Sequence, residues 1–214
     1  MKMSSQEEPF FGQNIKEAYE TIKKMTRRER GMRCGLIVGH KANRPGACNK
    51  KYNICEYQFN DQLACDIYDY LKKKESDTSI QIIRRQTYQG LPADINNYEP
   101  DFCVSLHCNA AHADYTGKWN GTETLYYHKS KRGKLMAEIL QKNIVGVLGF
   151  RDRGILPRKT EDRGGYLLRY TDMPCVIAEP FFIDNDTAYE AVMNQYDILV
   201  KTYAKSIEEI AGVL

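Results

Sequence analysis

The chain has 214 residues, of which 42% are apolar and 28% charged, with a formal net charge of +3. That supports one domain with a full hydrophobic core and excludes disordered and membrane-inserted classes, since no apolar run approaches the roughly 20 residues of a span. The mild positive balance falls short of a committed nucleic-acid binder but suits an anionic target such as a bacterial wall.

At the start, residues 1–11 carry Glu7 and Glu8 and no apolar stretch with a cleavage site, so a classical signal peptide is not expected and synthesis is placed in the cytoplasm. Ile15, Ala18, Tyr19, Ile22 and Met25 recur at helical spacing and predict an amphipathic helix over 14–30. Its basic tail, including Lys23, Lys24, Arg27, Arg28, Arg30 and Arg33, reads as a solvated helix end favoured by the helix dipole. Residues 1–33 are therefore set apart as a leader, with one domain over 34–214. The seven cysteines (Cys34, Cys48, Cys55, Cys65, Cys103, Cys108 and Cys175) contain no C-x-x-C pair. They are expected to stay free in a reducing compartment, several as small hydrophobes inside strands.

A first strand over 35–39 passes into a turn at Asn43, Arg44, Pro45 and Gly46. Asn53 followed by Glu56 has the pattern of a capping box ahead of a long helix marked by Tyr57, Ala64, Ile67, Tyr68 and Leu71. Ile80, Ile82 and Ile83 suggest a second strand, and 92–98 a short helix. Phe102, Cys103, Val104 and Leu106 form a short apolar run that reads as a strand buried on both faces. Beyond it come a polar loop over 112–120, a strand over 121–128, a helix over 131–148, a short extended segment at 154–157 and a charged loop over 158–165. A strand at 175–179 precedes one final helix opened by Thr187 and Glu190, with Val192, Tyr196, Leu199, Tyr203, Ile207 and Ile210 on its apolar face. Strands alternating with helices predict an α/β layered domain, its central β-sheet largely parallel or mixed and flanked by helices.

Three of these strands end in a polar side chain: His40, His107 and Glu179. In open α/β sheets, chemistry collects beyond the carboxyl ends of the strands. Hydrolytic zinc sites take three His or carboxylate ligands, and a further carboxylate moves the proton. The candidates are His40, Glu56 and His107 for the ion and Glu179 for the proton. Each has a plainer reading. A histidine at a strand end is often a hydrogen-bonded loop residue, Glu56 serves equally as the partner of Asn53, and Glu179 could pair with an arginine. Spacing alone does not decide between these readings.

Several ordered motifs resemble the zinc-dependent N-acetylmuramoyl-L-alanine amidases of the amidase-3 type. They are Val38-Gly39-His40, Pro45-Gly46-Ala47, Asn53 to Glu56, Ser105-Leu106-His107-Cys108-Asn109-Ala110, the 121–127 strand, and Arg153-Gly154 followed by Leu167 to Thr171, Pro174 and Val176 to Glu179. The resemblance implies Zn2+ on His40, Glu56 and His107, Glu179 as the catalytic acid–base, and peptidoglycan as substrate. The bond cut would be the amide between N-acetylmuramic acid and L-alanine. Two departures bear on substrate preference: the family's D-P-G-H-G is Ile37-Val38-Gly39-His40-Lys41, and its E-x-G-F is Glu179-Pro180-Phe181-Phe182. The second variant, like Gly46-Ala47-Cys48, is similar to bacteriophage endolysins. An endolysin made in the cytoplasm without a signal peptide and acting on the wall after release fits that likeness. Asn109, His112 and Arg169 are candidate substrate contacts, and neither nucleic acid nor membrane insertion is expected. The rival readings are a zinc peptidase or deacetylase acting on another wall amide, and a non-catalytic wall-binding module.

Overall fold

Three short apolar strands lying side by side set the middle of the molecule, because each is buried on both faces and must be covered by helices on each. The computed structural model describes residues 31–111 and 117–214. The helix expected over 14–30 and His112 lie outside them. In chain order the strands are β1 (Met32–Val38), β2 (Cys48–Asn49), β3 (Ile54–Cys55), β4 (Thr78–Arg84), β5 (Phe102–Leu106), β6 (Thr122–Tyr127), β7 (Asp152–Arg158) and β8 (Cys175–Glu179). The helices are α1 (Glu56–Lys73), α2 (Leu91–Tyr98), α3 (Lys131–Leu148), α4 (Gly165–Tyr170), α5 (Asp186–Asn194) and α6 (Tyr196–Val213).

Six strands form one sheet in the order β4-β1-β5-β8-β6-β7. β4, β1, β5 and β8 pair in parallel, β6 turns against β8, and β7 pairs in parallel with β6. The sheet is therefore mixed and mostly parallel. Alternate side chains of each strand feed opposite layers. Leu36, Val38, Val104, Leu106, Val176 and Ala178 join the larger core, under α1, α3 and α6. Ile37, Cys103, Cys175 and Ile177 point the other way, into a smaller core closed by Leu91 and Ile95 of α2 and Leu167 and Leu168 of α4. Phe59, Leu63, Ile67 and Leu71 place the apolar stripe of α1 on the larger core. β7 stands at the edge, where Pro157 lacks the N–H that a central strand would need. Among the described residues no helix is long and apolar enough to cross a membrane.

Three expectations are corrected. Asn53 does not cap α1: it adopts φ 50°, and the helix begins at Glu56 after Cys55. The final helix is two helices broken at Gln195, the first capped by Asn185, whose side chain accepts from Ala188 N at 2.9 Å. The apolar spacing runs through the break because both helices lie on the same core, so periodicity cannot report it. Finally, Cys48 and Cys55 are not free but joined as a disulfide. The β2–β3 pairing sets them opposite each other, a juxtaposition that their separation along the chain does not signal. The other five cysteines are free, four of them buried.

The disulfide closes the hairpin directly ahead of α1. Replacing Cys48 and Cys55 together by Ser is expected to lower the unfolding free energy by about 2 kcal/mol, the loop-closure value for so short a ring. Denaturant melts check this, and reductant added to the native protein should produce the same loss. An unchanged midpoint in reductant would show that the cross-link contributes nothing.

Candidate metal and catalytic site

Because β4, β1, β5 and β8 run the same way, their carboxyl ends share one edge of the sheet. Two residues past β1 stands His40, and directly past β5 stands His107. Glu179 is the last residue of β8, and Glu56 is brought to the same edge by the first turn of α1. A carboxylate there is favoured by the helix dipole.

His40, Glu56 and His107 converge. The three donor atoms lie within 4.8 Å of one another. Glu56 Oε2 is 3.1 Å from His40 Nε2, and its Oε1 is 2.9 Å from His107 Nδ1 while accepting the Cys108 N–H at 3.0 Å. The ring centroids are 5.3 Å apart, edge to face. Burial opposes ionisation of Glu56, but the bonds from His107 and His40 outweigh it and hold its carboxyl well below the usual carboxylate range. The backbone bends to build the cluster. His40 takes φ 63°, rare for a residue with a side chain. At Gly46, also at positive φ, a Cβ would sit 2.7 Å from both Glu56 Oε2 and the His40 ring. Two imidazoles and one carboxylate are the donor set of a hydrolytic zinc site, and this trio fits such an ion by both residue type and convergence.

Glu179 opens onto the same cavity as these three residues. The cavity measures about 220 Å³ and runs beneath the sheet, walled by Ile37, Leu91, Leu125, Leu167 and Ile177. Glu179 is 3% exposed. Burial raises its pKa, while Arg163 and His107 pull it back and the Glu123 and Glu56 carboxylates push it further up. Arg163 Nη2 donates to both carboxylate oxygens of Glu179, at 2.7 and 2.5 Å. The turn carrying Arg163 is tight: at Gly165 a Cβ would lie 1.7 Å from the Lys159 carbonyl oxygen, so only glycine fits.

The remaining sequence candidates fall elsewhere. Asn109 is buried, accepts the Ala110 N–H, and bonds through its backbone to Phe181 and Ile183, so it turns the chain outside the cavity. Arg169 is not brought to the cavity either; its guanidinium lies over the rings of Tyr127 and Tyr170. Sequence reasoning missed Arg163, which belongs to a charged loop, and Arg85 and Tyr88, which also line the cavity. Arg85 follows an apolar strand just as His40 and His107 do, so the same strand-end rule would have found it.

The sequence profile of the N-acetylmuramoyl-L-alanine amidase family (Amidase_3) matches residues 35–209. The N-acetylmuramoyl-L-alanine amidase LytC of Bacillus subtilis is 31% identical over 104 residues, 46% of this chain and 19% of that protein. YqiI of Bacillus subtilis, an uncharacterised protein, is 31% identical over 156 residues, 71% of this chain and 70% of the relative. The chain thus spans about a fifth of LytC and about two thirds of YqiI. Among solved structures, an N-acetylmuramoyl-L-alanine amidase from Clostridium difficile 630 superposes with a TM-score of 0.73 at 24% identity, covering 86% of this chain and 98% of that one. The catalytic domain of CD27L, an endolysin targeting the same species, gives 0.67 at 24% identity over 82% and 96%. The chain belongs to the N-acetylmuramoyl-L-alanine amidase family.

Since the Glu56 carboxyl is depressed in the folded chain, its contribution to stability is complete above its ordinary value of 4.5 and is lost as pH falls through the depressed value. With chelator present throughout, Glu56→Gln is expected to be less stable at pH 7 by about 1–3 kcal/mol. It should also lose less stability than the parent on acidification. Denaturant melts from about pH 7 down to about pH 3 check both. Parallel acid curves would remove Glu56 from the account.

Proposed function

We propose that this member of the amidase family hydrolyses the amide between the lactyl group of N-acetylmuramic acid and the L-alanine of the stem peptide. The catalytic unit in this reading is residues 34–214. His40, Glu56 and His107 hold a zinc ion, and Glu179 moves the proton. One observation carries the reading: three donors of the right kind converge at one rim of a cavity onto which a fourth, separate carboxylate also opens. A zinc ion there would supply Lewis-acid polarisation of the amide carbonyl and make water nucleophilic near neutral pH.

The chain's own residues divide the remaining work. Glu56 supplies the charged ligand between the two imidazoles, and the Cys108 N–H steadies its carboxylate. The apolar wall beneath them excludes water and strengthens every charge at the rim. Glu179 takes the proton released by attacking water and returns it to the departing alanine nitrogen. Arg163 holds both oxygens of Glu179 and so fixes where the proton is received. A lytic, endolysin-type role is supported by Glu179-Pro180-Phe181-Phe182 and Gly46-Ala47-Cys48, which follow the phage pattern rather than the commoner one.

Digestion of purified wall tests the reading. Free L-alanine amino groups should appear with no new reducing sugars and no cut within the stem, and chelation should stop their release until zinc is restored. New amino sugars, or ends within the peptide, would instead point to a deacetylase or a peptidase. Glu179→Ala is expected to keep zinc and its melting temperature while activity drops by about 10²–10⁴-fold. His107→Ala should lose the metal. Undiminished activity in the first variant, or full zinc occupancy in the second, would overturn the assigned role.

The acid limb of the rate profile carries a further expectation. Burial raises the Glu179 pKa, so the carboxylate becomes available as a base at a higher pH than an exposed glutamate does. Arg163 favours the ionised form. Arg163→Gln should therefore move the acid limb of kcat/KM to higher pH, and a limb that stays in place or moves down would contradict the pairing.

A further inference from the structure

The edge that gathers His40, His107 and Glu179 is built by four parallel strands, and the fourth also delivers a polar group there. Arg85 directly follows β4, the neighbour of β1, and lines the cavity with the other three. The segment is pinned to the loop after β1, because Lys41 Nζ donates to the Gln86 carbonyl at 3.0 Å. The Arg85 guanidinium lies over the Tyr88 ring, 5.5 Å from its centroid, and Tyr88 lines the same cavity.

Other arginines around the site have acids as partners: Arg84 pairs with Asp61, Arg153 with Glu123 and Arg163 with Glu179. Arg85 is half-buried, yet no carboxylate among the described residues pairs with it. Burial lowers its pKa, and the countering pull comes only from Tyr88 and from Glu56, which is already engaged by two imidazoles. A partly desolvated guanidinium with an open fork is a receptor for a carboxylate, which it meets with two parallel hydrogen bonds. Ser105 lines the same cavity, and its wholly buried hydroxyl has no hydrogen-bond partner among the described residues.

We infer that Arg85 receives a free carboxylate on the peptide half of the substrate, so that the site discriminates stems bearing that acid from stems in which it is amidated. The inference rests on the amidase reading. The chemistry of that substrate selects which half is bound. The lactyl carboxyl is consumed in the scissile amide, leaving the sugar side without an acid, whereas the departing peptide retains carboxylates of its own. The Tyr88 ring beneath the guanidinium gives it an aromatic surface to pack on. Arg85 is thus a specificity residue, distinct from the groups that hold the ion or move the proton.

The test uses two soluble muramoyl peptides, identical except that the peptide carboxylates are free in one and carboxamides in the other. The parent protein, zinc-loaded, should cleave the acid form with a kcat/KM about ten- to a hundredfold higher, expressed mainly in KM. Arg85→Gln should bring the two substrates level by weakening the acid form alone, and Arg85→Lys should restore part of the preference. Melting temperatures of both variants should match the parent. An equal preference ratio in parent and Arg85→Gln would overturn the inference, as would a fall in kcat shared by both substrates. Failure of the parent to release alanine amino groups from either substrate would refute the amidase reading instead.

Discussion

Glu56 is a carboxylate almost entirely withdrawn from water, and an isolated charge so placed would be unfavourable by several kcal/mol. It is tolerated because both oxygens are bonded, one to His40 and the other to His107 and the Cys108 N–H. Those bonds tie the start of α1 to the ends of β1 and β5, which are already joined to each other by the Gly39 N–H donating to the Leu106 carbonyl. The features around it serve the same closure. Gly46 leaves room for its oxygen, His40 accepts a strained backbone, and the Cys48–Cys55 bridge fixes the hairpin from which α1 departs.

The sheet determines what that closure can be used for. Parallel strands must cross over between successive pairings, so their carboxyl ends collect on one edge and their side chains there face one another across about 4.8 Å per strand. Arg85, His40, His107 and Glu179 occupy that edge in the spatial order of β4, β1, β5 and β8. Below them the row Ile37, Ser105 and Ile177 crosses three strands in register and turns toward the smaller core. Charges above an apolar floor interact more strongly than charges on an open surface. Among the described residues the helices that cover the smaller core are α2 and the six-residue α4, and the cavity lies on this side of the sheet.

Much of this was legible in the residues, and the limits have physical causes. The central strands read cleanly because a strand covered on both faces is a short, nearly continuous apolar run, as β5 is but for Ser105 and β8 is up to Glu179. His40, His107 and Glu179 stood out as polar residues interrupting such runs. Glu56 was ambiguous because a first-turn glutamate is stabilised by the helix dipole whether or not it has other partners. The disulfide and the break at Gln195 were invisible, since one depends on a two-residue pairing and the other preserves the apolar phase. Arg163 was lost among the charges of its loop, and what selects it is the turn closed by Gly165. Arg85 obeyed the strand-end rule but stands beside Arg84, and nothing local tells the two apart.

The antiparallel reversal of β6 has a consequence for Glu179 that a wholly parallel sheet would lack. It sets Glu123 directly opposite Glu179, so two buried glutamates become cross-strand neighbours on one face. Like charges so placed repel, and the pair is stable only if something offsets it. Arg153 binds Glu123 at 2.5 Å, while Arg163 binds Glu179 and also lies 3.9 Å from Glu123. The four side chains form a neutral group whose balance is unequal. Arg153 is more deeply set, whereas the Arg163 side chain is 60% exposed and its pull is screened by solvent. Glu123 is accordingly held by the better-shielded arginine, and Glu179, though held at both oxygens, by the more exposed one. In the proposed mechanism this asymmetry leaves Glu179 the acid whose positive partner is the more screened by solvent.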